Sequence, residues 1–474
     1  MDEKNTYTIK TAHLVKFIIC SLVGVFLFMV LIPDGAGAAN IPLGFVISAL
    51  GLAINSVEVG GFGLLFFIAL LLINISFFGT VVAYTLKPSF IMDNPKLRDA
   101  FLSHPVYFVS KLIAVVIVWM VFLGLGPGMI VDQWLGGWMM MDLIAGGSSG
   151  ANLMSIFIVL GITIPILTDF GIMEFLGTLI RKVVRFLFTL PGRSSVDLLG
   201  SWFSSSAASV IITRNQHEKG YYTGREAATI CVNFTLVSLP FTFTVASTVG
   251  LQANFIMFYL IICISSIILA IIMPRLWPLR GLKDEYLPEV GKQIEEDVPS
   301  GKGTLSWAAT LASKRASESG VGSTIKSGLS NWLNIFMDLI PVILAWGTIA
   351  LILAEETPIF DWLSTPFRLM LELLRVEDAA TYAAATIVGF VDMFIPALLL
   401  SGRDAYGYFA APLETRFILA ALSIVQIIYL AETGILILKS KMPLNIGHLA
   451  ILFVMRTVLA LPLIVLLTRL MARL

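Results

Sequence analysis

Gly389-Phe390-Val391-Asp392-Met393-Phe394-Ile395-Pro396 opens a stretch that ends at Arg403. Gly200-Ser201-Trp202-Phe203-Ser204-Ser205-Ser206 opens one of the same length that ends at Arg214. Each runs from a glycine through a small or polar loop and a short apolar arm to an arginine, and Asp404 and Asn215 follow. Upstream, Ile164-Pro165-Ile166-Leu167-Thr168-Asp169-Phe170-Gly171 parallels Ile340-Pro341-Val342-Ile343-Leu344-Ala345-Trp346-Gly347. Downstream, with a one-residue shift, Ser238-Leu239-Pro240 falls opposite Gln426-Ile427-Ile428, and Thr244 opposite Glu432.

Each half therefore reads as a span, an amphipathic segment, a hairpin and two more spans. Three full spans is an odd number, so the second copy must be inverted in the membrane. Inverted repeats with interrupted segments are the architecture of many secondary transporters. Backbone inside the hydrocarbon must be hydrogen-bonded unless it lines water or a protein cavity. A hairpin tip at that depth offers N–H and C=O groups to a polar solute or ion. The repeat thus marks four site elements: the tips 201–207 and 390–396, and interrupted helices near 233–244 and 426–433.

Composition agrees. The 474 residues are 57% hydrophobic and 13% charged, whereas soluble domains carry about a quarter charged residues. Mean hydropathy is +0.91. The apolar runs reach the ~20 residues needed to cross a bilayer, and the short alternating segments of a β-barrel are not seen. The expected fold is an all-α polytopic membrane protein with about nine full transmembrane helices, re-entrant hairpins and two inverted-topology repeats. The full spans fall near 14–33, 62–85, 107–131, 150–175, 225–247, 254–274, 331–354, 413–438 and 447–471. The stretches 41–56, 177–190, 195–213 and 379–402 are shorter or interrupted. Arg181, Lys182 and Arg185 place 177–190 in the interface, and Arg368, Glu372 and Arg375 do the same for 362–376.

Basic loops at 86–106, 181–193, 214–225 and 275–330 give a cytoplasmic N-terminus in a bacterial inner membrane. The hairpin 195–213 then opens to the cytoplasm. Residues 1–40 imitate a signal peptide, but the run from Phe17 to Ile32 is long for one, so it reads as a retained first helix. The chain divides into N-terminal helices 1–145 (a scaffold or oligomerisation part), repeat one at 146–280, a polar cytoplasmic linker at 281–330, partly ordered on the membrane surface and read as a passive loop sooner than a regulatory domain, and repeat two at 331–474. Trp134, Trp138, Trp277, Trp346 and Trp362 suit interfacial belts.

The candidate site groups follow from the repeat. Ser204, Ser205 and Ser206 crowd hydroxyls into tip one. Asp392 puts a carboxylate in tip two, where an ionisable group is costly and functional by default. The helix partners are Asn233, Ser238 and Thr242 in repeat one, and Gln426, Glu432 and Thr433 in repeat two. Pro240 breaks the backbone ladder of its helix. Glu432 either carries a proton or cation, or sits at the membrane edge beside Lys439. Asp169, deep in its span, pairs with a cation or serves structure. Arg456 interrupts the last span and either snorkels, pairs with a carboxylate or holds a substrate carboxylate, the structural reading coming first. Arg214 and Arg403 read as interface anchors.

Cys20, Cys231 and Cys263 lie inside apolar runs and read as small apolar residues. The four histidines are scattered, so no metal site and no cofactor is expected. No P-loop or nucleophile-elbow context is present, which argues against an ATP-driven pump and an enzyme. Lys+Arg and Asp+Glu balance at 31 each, which points to no nucleic-acid partner.

The paired Ile-Pro…Gly and Gly…Arg-Asn/Asp segments resemble the Gate-domain, or nucleoside-recognition, family in its YjiH-like branch, over about residues 146–474. That resemblance extends distantly to concentrative nucleoside transporters, which set two hairpins and two interrupted helices around a midplane site and assemble as homo-oligomers. It implies the same architecture here, with Asn233, Asp392, Gln426 and Glu432 in the polar roles. Tip one lacks the Gln/Asn-rich pattern suited to a nucleobase. The expected function is therefore secondary transport of a small polar nitrogen-containing solute (nucleoside, amino acid or small peptide), coupled to H+ or Na+. Asp392, Glu432 and Asp169 are the candidate coupling residues. The rival class is a non-transporting membrane scaffold of the same family.

Overall fold

The computed structural model describes residues 10–471 apart from 31, 34–38, 95–96, 99–100, 103–104, 132–139, 141–143, 146–152, 193, 196–197, 199–205, 235–238, 289–290, 292–302, 321, 323, 325, 327, 330–331, 333–335, 338–339, 403–409, 439 and 441. Described helices of six residues or more are α1 Thr11–Met29, α2 Pro42–Asn55, α3 Leu64–Thr85, α4 Pro105–Leu123, α5 Leu153–Thr168, α6 Ile172–Phe188, α7 Ser206–Glu218 and α8 Gly224–Asn233. They continue as α9 Leu239–Thr248, α10 Phe255–Ile272, α11 Thr304–Glu318, α12 Ile340–Glu356, α13 Ile359–Leu373, α14 Ile395–Leu400, α15 Leu413–Gln426 and α16 Ile446–Met471. Among the described residues, strand is limited to two antiparallel ladders of two-residue strands, Ile32–Pro33 with Ala39–Asn40 and Glu58–Val59 with Phe62–Gly63.

Segments Thr11–Phe28, Leu64–Thr85, Gln252–Gly281 and Ile446–Met471 are each long and apolar enough to cross a membrane. With the shorter apolar helices around them, they make the chain a multi-pass helical membrane protein. The two halves repeat one order of elements. The helices α5, α6, α7, the broken pair α8/α9 and α10 are followed, after α11, by α12, α13, the hairpin with α14, the broken α15 and α16. Both α6 and α13 are amphipathic, in line with their interfacial reading. The stretches 225–247 and 413–438 are each interrupted, because helix stops at Asn233 and again at Gln426.

The helices form two compact units that interleave along the chain. One comprises Val30–Thr163 and Ile325–Trp362. Inside it α4 packs between α3 and α12, around polar groups. Thr80 Oγ1 donates to Ser76 O at 2.7 Å, Lys111 Nζ to Thr80 Oγ1 at 3.3 Å, and Trp346 Nε1 to Ser110 Oγ at 2.7 Å. The partly buried indole of Trp346 is thus fixed to the neighbouring helix α4. Its N–H needs a partner away from water, and Ser110 supplies it. Trp277 and Trp362 are exposed, as a belt requires.

The second unit holds Met1–Met29, Ile164–Thr324 and Leu363–Leu474. Here part of the stretch read as a linker, 304–318, is ordered as α11, a helix packed against α6 and α1. Ala308, Ala312 and Ala316, spaced four apart, line its buried face. Side chains this small let helices approach closely. Ala312 and Ala316 cluster with Phe17, Leu14, Ile172 and Phe175. Lys16 donates to Ser319 O, and Ser319 Oγ donates to Asp169 O, fastening the end of α11 to α1 and to the α5–α6 turn.

That turn depends on Gly171. Its φ is +102°, and a Cβ built there would lie 2.5 Å from Ala312 O. Both the left-handed backbone and the approach of α11 require glycine. Gly171→Ala should therefore destabilise the protein by about 2 kcal/mol or more, read as a lower midpoint in thermal unfolding of the detergent-solubilised chain. An unchanged midpoint would mean that α11 does not dock on this turn.

Candidate functional site

The interruptions create the site's central problem. A helix that stops leaves its last four carbonyls without intrahelical partners, and hydrocarbon supplies none. α8 and α15 both stop this way, and both ends meet one side chain. Arg456, on α16, is fully buried. Its Nε donates to Val425 O in the last turn of α15. Its Nη1 donates to Val232 O at 3.3 Å and to Asn233 Oδ1 at 2.9 Å, both in the last turn of α8. Helix C-termini carry the negative end of the macrodipole, roughly half an elementary charge each. Two such ends facing a single guanidinium partly offset its charge, and among the described residues no carboxylate pairs with it.

Arg456 therefore does not snorkel. It is the eleventh residue of a 26-residue helix, about 15 Å from that helix's first residue at ~1.5 Å per residue. A guanidinium at that depth cannot reach either surface and turns inward.

The helix ends also revise the internal register. Asn233 is the last residue of α8, and Gln426 is the last residue of α15. Gln426 thus matches Asn233 in its position at a helix end, whereas the sequence register set it against Ser238, which lies outside the described residues. α15 has fourteen residues and α8 ten. The extra four are one helical turn, which displaces the second break relative to the first. Pro240 is the second residue of α9. A proline in a first turn removes no hydrogen bond, so it opens the second half-helix and does not itself break the ladder.

The second break is locally strained. Ile427 has φ +61° and ψ −36°, and Ile428 N–H donates to Gln426 O at 2.6 Å. This is a γ-turn with positive φ, the rare form, on a β-branched residue that disfavours it. Strain of this kind persists only where neighbours over-determine it. Here Gln426 Nε2 donates to Thr386 O and to Thr457 Oγ1, each at 2.8 Å. Leu430 N–H donates to Phe390 O at 2.8 Å, joining the break to tip two. A π-helical turn, Leu430–Gly434, follows.

Tip two lies against this arrangement. Short turns Ala379–Tyr382 and Ala385–Val388 enter it, and α14 leaves. Asp392 is buried, and its Oδ1 accepts the Phe394 N–H at 2.8 Å. Phe394 meets Phe241 of α9 edge-on with centroids 5.7 Å apart, and Phe390 packs on Phe453 of α16 at 5.0 Å. The tip thus contacts a half-helix of repeat one and the arginine's own helix.

Of the residues selected from sequence, the structure joins Asn233 and Gln426 through α16, and places Asp392 on the tip that touches both repeats. Thr433 is buried, with Oγ1 donating to Tyr429 O at 3.1 Å. Thr242 is buried in α9. Glu432 lies in the π-helical turn, but its side chain is outside the described residues. Ser206 begins α7, whereas Ser204, Ser205, Ser238 and Arg403 fall outside the described residues. Asp169 sits at the helix end beside Ser319, because Gly171 terminates α5 earlier than hydropathy suggests. Among the described residues, no group of His, Cys, Asp and Glu is arranged to hold a metal ion.

Two buried atoms in this cluster have no hydrogen-bond partner among the described residues: Arg456 Nη2 and Gln426 Oε1. Reading the sequence set Arg456 down first as structural and missed Lys111, which is also fully buried. The available signal was the same for both, a basic residue interrupting an apolar run.

Gly389 lies beneath Gln426, and a Cβ there would come 2.5 Å from Gln426 Oε1. Gly389 has helical φ, so alanine meets no backbone penalty and its effect is purely steric. Gly389→Ala should destabilise by about 1–3 kcal/mol. In a Gln426→Ala background the same change should cost less than half as much, a coupling read from a double-mutant cycle of unfolding midpoints. Additive effects would place the amide elsewhere.

Comparison with known proteins places these elements in context. Residues 151–252, which span α5 to the end of α9, match the family model Gate, described as nucleoside recognition. The uncharacterized protein BpOF4_10220 of Alkalihalophilus pseudofirmus is 40% identical over 460 residues, covering 97% of this chain and 95% of that protein. Among solved structures, CNTnw in an inward-facing substrate-bound state overlays with a TM-score of 0.40 at 15% identity, over 90% of this chain and 98% of that one. A doubly substituted CNTnw in an outward-facing state gives 0.37 at 15% identity, over 90% and 97%. The chain therefore belongs to one family with the Alkalihalophilus pseudofirmus protein, and its residues 151–252 carry the match to the Gate model.

Proposed function

We propose that this protein is a secondary active transporter. It moves a small, polar, nitrogen-containing solute across the bacterial inner membrane by alternating access, driven by protons or sodium. The N-terminus is cytoplasmic, the repeats 146–280 and 331–474 are inverted copies, and the N-terminal helices 1–145 serve as scaffold in a homo-oligomer. One observation carries this reading: two broken helices end on one buried guanidinium beside a hairpin tip that holds a buried carboxylate. Discontinuous helices meeting at depth are how carriers expose backbone and side-chain polar groups to solutes while keeping lipid out.

Asp392 is the coupling residue of this proposal. A buried carboxylate needs a cation or a proton, and Asp392 takes only one N–H from its own hairpin. Glu432, one turn past the second break, is the second candidate. Ser204, Ser205, Ser206, Asn233, Ser238, Gln426 and Thr433 shape the solute site. Asp169 stands apart from this cluster and is the weakest candidate for coupling.

The test is solute-driven ion flux in proteoliposomes carrying a lumenal pH dye, with uridine, leucine and dialanine offered under imposed proton or sodium gradients. At least one solute should drive flux under one gradient, and Asp392→Asn should lower that flux at least about tenfold, the scale of a lost charge-handling group. Absence of flux for every solute, in protein with a normal unfolding transition, would favour the scaffold function.

A further inference from the structure

The unpartnered atoms at the two breaks point to the chemistry of the solute. Arg456 has five N–H donors in a planar fork. Nε and Nη1 are committed to Val425 O, Val232 O and Asn233 Oδ1. Nη2, with two N–H groups, has no partner among the described residues although the side chain is fully buried. Gln426 Oε1 is a buried acceptor in the same condition, while its Nε2 is held by Thr386 O and Thr457 Oγ1. Gln426 Nε2 donates to Thr457 Oγ1 of α16, and Arg456 Nε of α16 donates to Val425 O of α15, so both orphan groups lie on side chains at the contact of α15 with α16.

Buried donors and acceptors left unmade are costly, those on charged groups most of all. An open pair of this kind on the proposed pathway marks the place of a ligand. The acceptors Arg456 already has are neutral, and guanidinium forks favour carboxylates above neutral oxygens. Resting on the transport reading above, we infer that the solute carries a carboxylate, which docks on Arg456 Nη2, and an amine or amide N–H, which donates to Gln426 Oε1. An α-amino acid presents these two groups on one carbon. A neutral nucleoside supplies donors for Gln426 but no anion for Arg456.

Matched ligands test this on the unaltered protein, so that no variant has to fold. Thermal shifts of the purified full-length chain would be titrated with L-leucine against L-leucinamide, L-alanine against L-alaninamide, and uridine. Ligand that binds the folded state raises the midpoint in proportion to its affinity. The acids should bind at least about tenfold more tightly than their amides. Arg456→Lys, which keeps the charge and loses the fork, should shrink that preference. Gln426→Leu should weaken acid and amide alike, leaving the preference. Equal binding of acid and amide overturns the inference, as does binding of uridine alone, and both leave the transport reading standing. No shift with any probe removes the inference and weighs against the transport reading as well.

Discussion

Interrupting a helix inside a membrane creates a debt of unpaired carbonyls, and this fold settles it twice with one residue. Val232 O and Val425 O, from helices that belong to different halves of the chain, share the guanidinium of Arg456. Lysine could not do the same. Its ammonium is a point charge without a planar fork, and it is more strongly hydrated. The charge itself is also expensive, since burying an unpaired cation costs several kcal/mol even after relaxation. Two convergent helix C-termini lower that cost with dipoles that are part of the backbone. The breaks and the arginine are thus mutually dependent: neither is stable at this depth alone.

The remaining features of the cluster are consequences of keeping the second break in place. Ile427 adopts a backbone conformation that β-branched residues avoid, and three independent hydrogen bonds hold the residues on either side. Gln426 fixes one side to the hairpin arm and to α16, and Leu430 fixes the other to Phe390. The aromatic contacts of Phe390 and Phe394 then set tip two against α16 and α9. A movement of the hairpin that kept these bonds would carry the break with it.

Hydropathy made the membrane character and the order of elements legible, because a bilayer imposes run length directly on sequence, whereas the two interruptions, which hydropathy read as full spans, were legible only through the repeat. The polar residues at helix ends, Asn233 and Gln426, were also legible, since amides are rare in such runs. The register between the halves was not. One added helical turn before the second break leaves hydropathy unchanged and shifts every equivalence after it, so Gln426 was set against Ser238 when it matches Asn233. Arg456 was visible as a charge, but its partners are backbone carbonyls distant in sequence, and backbone leaves no signature in composition. The docking of α11 had a signal that the polar composition masked: Ala308, Ala312 and Ala316 fall on one helical face.

The identity of the groups around Arg456 carries a further consequence. A side-chain carboxylate in place of Asn233 would pair with the guanidinium and occupy its fork whenever no solute was present. Asn233 gives a neutral oxygen, held by its own Nδ2 bond to Thr229 O at 3.1 Å, and the other two acceptors are peptide carbonyls that cannot rotate away. The guanidinium is therefore fixed in orientation, partly satisfied and incompletely neutralised by its immediate partners. Preorganisation of this kind spares a ligand the cost of ordering the site when it binds. It also means that an anion meeting Nη2 displaces no ion pair formed among the described residues. A site stabilised by dipoles stays open to a charged ligand, whereas one stabilised by a salt bridge must first break it.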